Sequence, residues 1–74
     1  MRLTESEVMQ IINHGISLNI GRLSLTPVQR AKSLPREFMV DCTHSKYQCS
    51  ILFKTTKEAA EKFCMLKNVL YANY

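Results

Sequence analysis

The first part of the chain shows apolar residues at helical spacing. The stripe consists of Val8, Ile11 and Ile12. Thr4 precedes it and is followed three residues later by Glu7, which is a capping box, because each side chain can bond the backbone N–H of the other residue. Gly15 can take the left-handed conformation that ends many helices. The pattern predicts a helix over about residues 5–14.

Beyond this helix the period changes from helical to alternating. Ile16, Leu18 and Ile20 are separated by polar residues, the alternation slips by one at Gly21, and it resumes with Leu23 and Leu25. Such a pattern predicts extended chain. A slip at a glycine is typical of a β-bulge, and two short strands joined there give the same pattern. An alternative interpretation continues the first helix through Gly15 toward Leu23.

A second helix start follows the extended segment. The run Thr26-Pro27-Val28-Gln29 has the form of a capping box with proline at the first helical position. Pro35 biases Leu34 away from the helical conformation, so a helix that begins after Thr26 must end before Leu34. We therefore expect a short helix of at most about two turns after Thr26.

The sequence pattern of residues 37–54 predicts a β-hairpin, and this is the best-supported pairing of two segments in the chain. When residues are paired so that their numbers sum to 91, one face is apolar and contains the pairs Phe38–Phe53, Val40–Ile51 and Cys42–Cys49. The other face is polar and contains Glu37–Lys54, Asp41–Ser50 and Thr43–Gln48. A slip of one residue would turn both sets to the wrong face, which fixes the register. The connection from His44 to Tyr47 lacks Asn-Gly, so we expect a four-residue loop.

The chain closes with the pattern of a long helix. Thr55 and Glu58 form a third capping box, and one apolar stripe follows, made of Ala59, Ala60, Phe63, Leu66 and Leu70. Met65 and Val69 lie off this stripe, so the helix is apolar over a wider arc than one sheet needs. Either the helix is deeply wrapped by its own domain, or Met65 and Val69 form a protein interface.

Together these elements predict a small single α+β domain spanning residues 1–74. An antiparallel β-hairpin or three-stranded sheet packs against an N-terminal and a long C-terminal helix, in the order α-β-(α)-β-β-α. Covering one face of a sheet with two helices is the simplest way to bury these stripes.

Composition supports an ordered domain. The 74 residues are 46% apolar, and 10 Lys/Arg against 6 Asp/Glu give a net charge of +4. These values exclude a disordered tail. No apolar run approaches the roughly 18–20 residues of a membrane span. Glu5 and Glu7 stand where a secretory signal needs an uninterrupted apolar stretch, so we expect a cytoplasmic protein with no membrane partner.

Sequence motifs for catalysis are missing. With 2 glycines there is no phosphate-binding loop, and neither HExxH nor CxxC occurs, so we expect no catalytic residue and no cofactor. Four residues could in principle bind zinc: Cys42, His44, Cys49 and Cys64. Their spacing matches no strong zinc pattern, and the cysteines are better explained as small core residues, so we expect no metal. A zinc- or Cys/His-dependent protein is the third functional hypothesis.

The charge distribution gives the first two hypotheses. Between Val8 and Arg36 there is no acidic residue, and six basic residues are predicted to contact phosphates: Arg22, Arg30, Lys32, Arg36, Lys46 and Lys54. The first hypothesis is therefore a nucleic-acid-binding regulator. The second is an inhibitor or adaptor, of the kind that phages and mobile elements encode, which binds an acidic host protein through Met65, Val69 and a basic rim. A homodimer would suit so small a domain.

The second half of the chain also resembles known DNA-binding modules. The segments REFMVDC and YQCSILFKTTKEAAEKF, between Arg36 and Leu70, resemble the hairpin and helix of AP2-like and integrase arm-binding modules. In those modules the sheet face away from the helix enters the major groove. The corresponding face here is not basic and contains Met39, Asp41, Gln48, Ser50 and Leu52. The order of elements is similar to double-stranded RNA-binding domains, whose glycine-bounded strand and lysine cluster are absent here.

Overall fold

The computed structural model describes residues 3–72, which form two helices and four strands. The elements are α1 (Glu5–Asn13), β1 (Leu18–Ile20), β2 (Leu23–Val28), β3 (Glu37–His44), β4 (Tyr47–Phe53) and α2 (Thr56–Leu70). The strands make one antiparallel sheet in the order β1-β2-β3-β4. Both helices contribute to a single core on one face of it. The predicted α+β class is confirmed, with four strands in the sheet.

Both long helices begin at their predicted caps. The Thr4 hydroxyl accepts from the N–H of Glu7 at 3.2 Å, and the N–H of Thr4 donates to the Glu7 carboxylate at 3.1 Å. At the start of α2 the Thr55 hydroxyl accepts from the N–H of Glu58 at 3.2 Å. Gly15 follows α1 with φ +79°, so the helix does not continue toward β1. The alternative of a first helix running through Gly15 is wrong.

The extended segment after α1 is a hairpin of two short strands. Leu18 pairs with Leu25 and Ile20 pairs with Leu23, which leaves Gly21 and Arg22 as the connection. Gly21 has φ +57°, at the position where a type II′ turn requires glycine. The slip in alternation at Gly21 therefore marks a turn between strands and not a bulge within one.

The short helix predicted after Thr26 is wrong. Thr26, Pro27 and Val28 end β2 and pair with β3, and residues 29–36 form a loop. A capping box is a local signal, and here pairing along the whole edge of β3 outweighs it. The loop contains a turn, in which the N–H of Leu34 donates to the carbonyl of Ala31 at 3.1 Å.

Pro27 fits the strand because of its place in the hydrogen-bond ladder. The N–H of Thr43 donates to the carbonyl of Arg22 at 3.0 Å, so these two residues form a hydrogen-bonded pair. Since such pairs alternate along an antiparallel ladder, Pro27 and Phe38 form a non-hydrogen-bonded pair. The Pro27 nitrogen then points away from β3, at a position beyond the end of β1, and no ladder bond is lost.

The β3–β4 hairpin has the predicted register, and its loop is tighter than expected. Phe38 pairs with Phe53, Cys42 pairs with Cys49, and the pairing continues to His44 and Tyr47. The four-residue loop is therefore wrong, because only two residues separate the strands. The His44 ring explains the difference: its Nδ1 accepts the N–H of Lys46 at 3.0 Å and supports a turn that lacks glycine.

The core lies between the sheet and the helices. Its buried side chains come from every element except β4, and include Val8, Ile12, Leu23, Leu25, Val40 and Phe63. The inward-facing residues of β4, which are Cys49, Ile51 and Phe53, are only half-buried. The reason is the position of α2, which lies over β2 and β3 more than over β4.

Candidate nucleic-acid interface

The structure divides the six predicted basic residues between the two ends of the sheet. Arg30, Lys32 and Arg36 lie in the loop before β3, and Lys54 follows β4 at the same end. Arg22 and Lys46 lie in the two turns at the opposite end. The 8 residues of β3 separate the ends, which corresponds to roughly 23 Å at about 3.3 Å per residue. The six residues therefore do not form one surface.

Three of the basic residues line one concavity of about 280 Å³. Its lining, which we call the basic end, consists of Arg30, Leu34, Pro35, Arg36, Glu37 and Lys54. The cations reach it from two segments that are distant in sequence, the loop before β3 and the residue after β4. The register of the hairpin brings these segments together, since it places residue 37 opposite residue 54.

Arg36 holds the basic end against the first helix. Its guanidinium donates to the carbonyl of Asn13 at 2.9 Å, where the last carbonyls of α1 have no partner within the helix. The same guanidinium lies beside Gly15, 3.7 Å from the position that a Cβ would occupy. A cation at the carboxyl end of a helix is also favoured by the helix dipole. Arg36 thus has a structural role besides its contribution to the charge.

Glu37 is the one carboxylate that lines the basic end, and it contacts Arg30. The Arg30 Nε lies 3.4 Å from the Glu37 carboxylate, with the arginine side chain 66% exposed. Glu37 is 22% exposed, but the arginine side of the pair is open to solvent, so the pair contributes about 1 kcal/mol or less and Arg30 can turn toward another anion. Three cations against one carboxylate leave the concavity positive.

The loop that carries Arg30 and Lys32 is held by its own hydrogen bonds. The Gln29 side-chain amide donates to the carbonyl of Leu34 at 3.2 Å, which closes the loop across the turn at Ala31. Leu34 itself is 50% exposed and lines the concavity beside Pro35. The basic end therefore combines cations with an apolar wall.

The opposite end of the sheet is organised around Tyr71. Its hydroxyl accepts the N–H of Arg22 at 2.9 Å, and its ring meets the His44 ring edge-on at 5.5 Å. The exposed Lys46 lies in the adjacent turn. Arg22 and Lys46 thus lie in the two turns next to an aromatic contact, and neither lines the concavity of the basic end.

The uncovered face of the sheet carries no cation. No residue of the four strands is Lys or Arg, and Asp41 lies near the middle of this face. The resemblance to DNA-binding modules implies that this face enters the major groove. A face with a carboxylate and no cation gives no support to that way of binding DNA.

The helix face predicted as a protein interface is exposed. Met65 is 47% and Val69 is 71% exposed, and their spacing places them on one side of α2. Met65 also lines a groove of about 380 Å³ between α2 and β4. The other residues of this groove were not singled out from the sequence: Phe53, Glu58, Glu61 and Lys62. The signal for Phe53 was present, because the strand alternation already placed it on the inward face.

The cysteine and histidine residues do not form a metal site. Among residues 3–72, no three His, Cys, Asp or Glu side chains come together in a way that could hold a metal ion. Cys42 is buried, and its thiol contacts the carbonyl of Tyr47 at 3.3 Å. Burial raises the pKa of the Cys49 thiol, and the neighbouring Cys42 raises it further. A raised pKa disfavours the thiolate that metals and nucleophilic chemistry require.

Comparison with known proteins gives no further assignment. The chain matches no protein-family model, no curated protein and no solved structure. Within the described residues 3–72, neither helix is long and apolar enough to cross a membrane. The function must therefore be argued from the sites themselves.

Proposed function

We propose that this protein is a small, non-catalytic regulator that binds the phosphate backbone of nucleic acid through its basic end. One observation carries the proposal: Arg30, Arg36 and Lys54 line a single concavity. Arginine and lysine are the side chains that supply most contacts to phosphate oxygens. The net charge of +4 adds long-range attraction to a polyanion.

The shape of the basic end favours backbone contact over the reading of bases. Its volume of about 280 Å³ is small, and most of its lining comes from the loop before β3. Phosphate contacts fix the position of a protein on nucleic acid but carry no sequence information. We therefore expect binding with weak sequence preference, in which Leu34 and Pro35 pack against a sugar or an unstacked base.

Matched lysine substitutions at the two ends of the sheet test the proposal. Lys54→Gln removes a cation from the basic end, and Lys46→Gln removes one from the opposite end. Both residues are exposed, so neither change disturbs the core. Binding is measured by fluorescence anisotropy with a labelled oligonucleotide at several salt concentrations.

Lys54→Gln should weaken binding severalfold, and the slope of log affinity against log salt should become shallower by about 0.9 on duplex DNA. Lys46→Gln should leave the slope unchanged. Equal effects of the two variants, or an affinity that does not respond to salt, would contradict the proposal. Arg36 is a poorer choice for this test, because its loss also frees the end of α1.

A second candidate function is favoured by the exposure of Met65 and Val69. Two large apolar residues on one helix face fit an inhibitor or adaptor that docks on an acidic partner protein. Such binding would survive added salt and nuclease treatment, and Met65→Asp or Val69→Asp would abolish it. Nucleic-acid binding through the basic end would instead weaken with added salt, be lost on nuclease treatment and be unchanged by Met65→Asp or Val69→Asp.

A further inference from the structure

The outer edge of β4 is open along its whole length. β4 is the last strand of the sheet, and among residues 3–72 no segment pairs with its outer side. Its 7 residues include no charge, proline or glycine. Natural proteins usually protect such an edge with charges, proline or a covering segment, because it is a template for another strand.

The ladder identifies which backbone groups are free at this edge. Thr43 bonds toward β2, so the alternate residues Cys42 and Val40 bond toward β4. Their partners in β4, Cys49 and Ile51, therefore use their N–H and C=O groups within the sheet. The residues between and beside them point their backbone groups outward, namely Gln48, Ser50 and Leu52.

We propose that a second copy of this chain pairs with β4 in antiparallel orientation, centred on Ser50, to form one continuous eight-stranded sheet. In this register Ser50 lies opposite Ser50 of the second copy, and Gln48 lies opposite Leu52 of the second copy on both sides. Every outward backbone group of these three residues then has a partner. Registers centred on Cys49 or Ile51 leave some of these groups unpaired.

In the same register, each inward side chain of β4 lies opposite an inward side chain of β4 in the second copy. Cys49 lies opposite Ile51 of the second copy, and Tyr47 lies opposite Phe53. These residues are only half-buried or exposed in one copy, because α2 covers the inward side of β4 less than that of β2 and β3. Pairing would cover them, and aromatic and β-branched pairs are among the more favourable cross-strand contacts.

Charge complementarity favours a second copy as the occupant. The groove beside β4 is lined by Glu58, Glu61 and Lys62 next to Phe53, so two carboxylates face one ammonium. The aromatic ring that pairing brings against Phe53 is Tyr47, whose hydroxyl accepts from Lys62 Nζ at 3.1 Å and whose ring lies 5.2 Å from that ammonium. The two-fold arrangement therefore brings the Lys62 ammonium of each copy toward the groove of the other copy, where the carboxylates are in excess. The exposed Lys46 and Lys54 of the two copies also come opposite each other and oppose the pairing, but both lie beyond the strand ends, where solvent and salt weaken the repulsion.

The dimer is independent of the proposed function. The basic end lies beyond the carboxyl end of β4, and an antiparallel pair places the two basic ends at opposite strand ends, each next to Lys46 of the other copy. The Lys46→Gln and Lys54→Gln comparison is therefore made at protein concentrations too low for dimerisation. Loss of dimerisation would leave phosphate binding by each copy intact, and loss of phosphate binding would leave the dimer intact.

Disulfide trapping tests the register. In a Cys49→Ser background, Ser50→Cys places two thiols on directly opposite residues, with Cα atoms about 5.5 Å apart, a distance that a disulfide can span. Mild oxidation should yield a covalent dimer. Gln48→Cys lies opposite Leu52 and Thr43→Cys lies on the same sheet face but on an inner strand, so both should cross-link at least about tenfold more slowly.

Analytical ultracentrifugation over a wide concentration range tests the association itself. Ser50→Lys puts two like charges directly opposite each other and should weaken the dimer at least about tenfold. Thr43→Lys should not, and circular dichroism should show both variants folded. A wild-type protein that stays monomeric at the highest concentration, or equal cross-linking of the three cysteine variants, would overturn the proposal and leave the edge to a foreign strand.

Discussion

The two edges of the sheet are protected to different degrees. β1 has 3 residues, and the turn that joins it to β2 lies against Tyr71. β4 has 7 residues, and no strand among residues 3–72 pairs with its outer side. Both strands belong to hairpins with two-residue connections, so the difference does not come from the turns.

This contrast indicates that a further strand is less able to pair with β1 than with β4. A short edge strand offers few free backbone groups, and a side chain packed on its turn fixes its end. The same chain leaves a longer, uncharged edge open beside a groove with two carboxylates. One edge of the sheet is therefore short and anchored at its turn, and the other is long and open to a second strand.

Gly21→Ala should break the protected edge and have the largest effect. The residue has φ +57°, and an added Cβ would lie 2.7 Å from the Tyr71 ring. The strained backbone and the displacement of Tyr71 together should cost about 2 kcal/mol of unfolding free energy. Urea denaturation followed by circular dichroism measures this cost.

Gly15→Ala is the matched control for that variant. Gly15 also has positive φ, at +79°, but a Cβ there would meet the Arg36 guanidinium at an ordinary 3.7 Å. It should cost about 1 kcal/mol, from the backbone alone. Equal costs at the two glycines would show that the contact between Tyr71 and the turn does not stabilise the β1 edge.

Tyr71→Phe isolates the hydrogen bond at the same edge. It removes the hydroxyl that accepts the N–H of Arg22 at 2.9 Å, and it keeps the ring against Gly21 and His44. Because water can reach the freed N–H, we expect a loss of about 0.5–1 kcal/mol in the same urea experiment.

Tyr47→Phe makes the equivalent change at the β4 edge. The Tyr47 hydroxyl accepts from the half-buried Lys62 at 3.1 Å, and the Tyr47 side chain also hydrogen-bonds Cys49. In dilute solution its loss should change the unfolding free energy by less than about 0.5 kcal/mol. A larger cost for Tyr47→Phe than for Tyr71→Phe would reverse the comparison of the two edges.

The sequence predicted the parts of this fold that depend on neighbouring residues. The caps at Thr4 and Thr55 and the register of β3 with β4 were all predicted correctly, because each depends on patterns within a few residues or within one hairpin. The short helix after Thr26 failed for the same reason. Its local capping signal was real, but the pairing of β2 with β3 depends on residues that follow it by more than ten positions.

The candidate site was predicted only in part. The sequence identified all three cations of the basic end, but it grouped them with Arg22 and Lys46, which lie at the other end of the sheet. That division follows from strand direction, which the charge pattern does not contain. Sequence patterns also gave no sign that α2 covers β4 less than β3, since the alternation in β4 is as regular as that in β3.

The pH dependence of stability should give the smallest effect, through Cys49 in the open edge. Burial raises the pKa of the Cys49 thiol above its ordinary value, with Cys42 adding to the shift and Lys62 opposing it. The unfolded chain therefore ionises this thiol first and binds fewer protons than the folded chain. Stability from this group is complete at neutral pH and declines as the pH rises above about 9.

Cys49→Ala should remove part of this alkaline decline, measured as the difference in unfolding free energy from wild type between neutral and alkaline pH. Cys64→Ala serves as the comparison, because burial also raises the pKa of that thiol and Cys64 lies in the core. If β4 pairs with a second copy, Cys49 becomes more deeply buried, and its share of the decline should grow with protein concentration while that of Cys64 stays constant. A decline that is the same at all concentrations for both variants would indicate that the β4 edge remains open in solution.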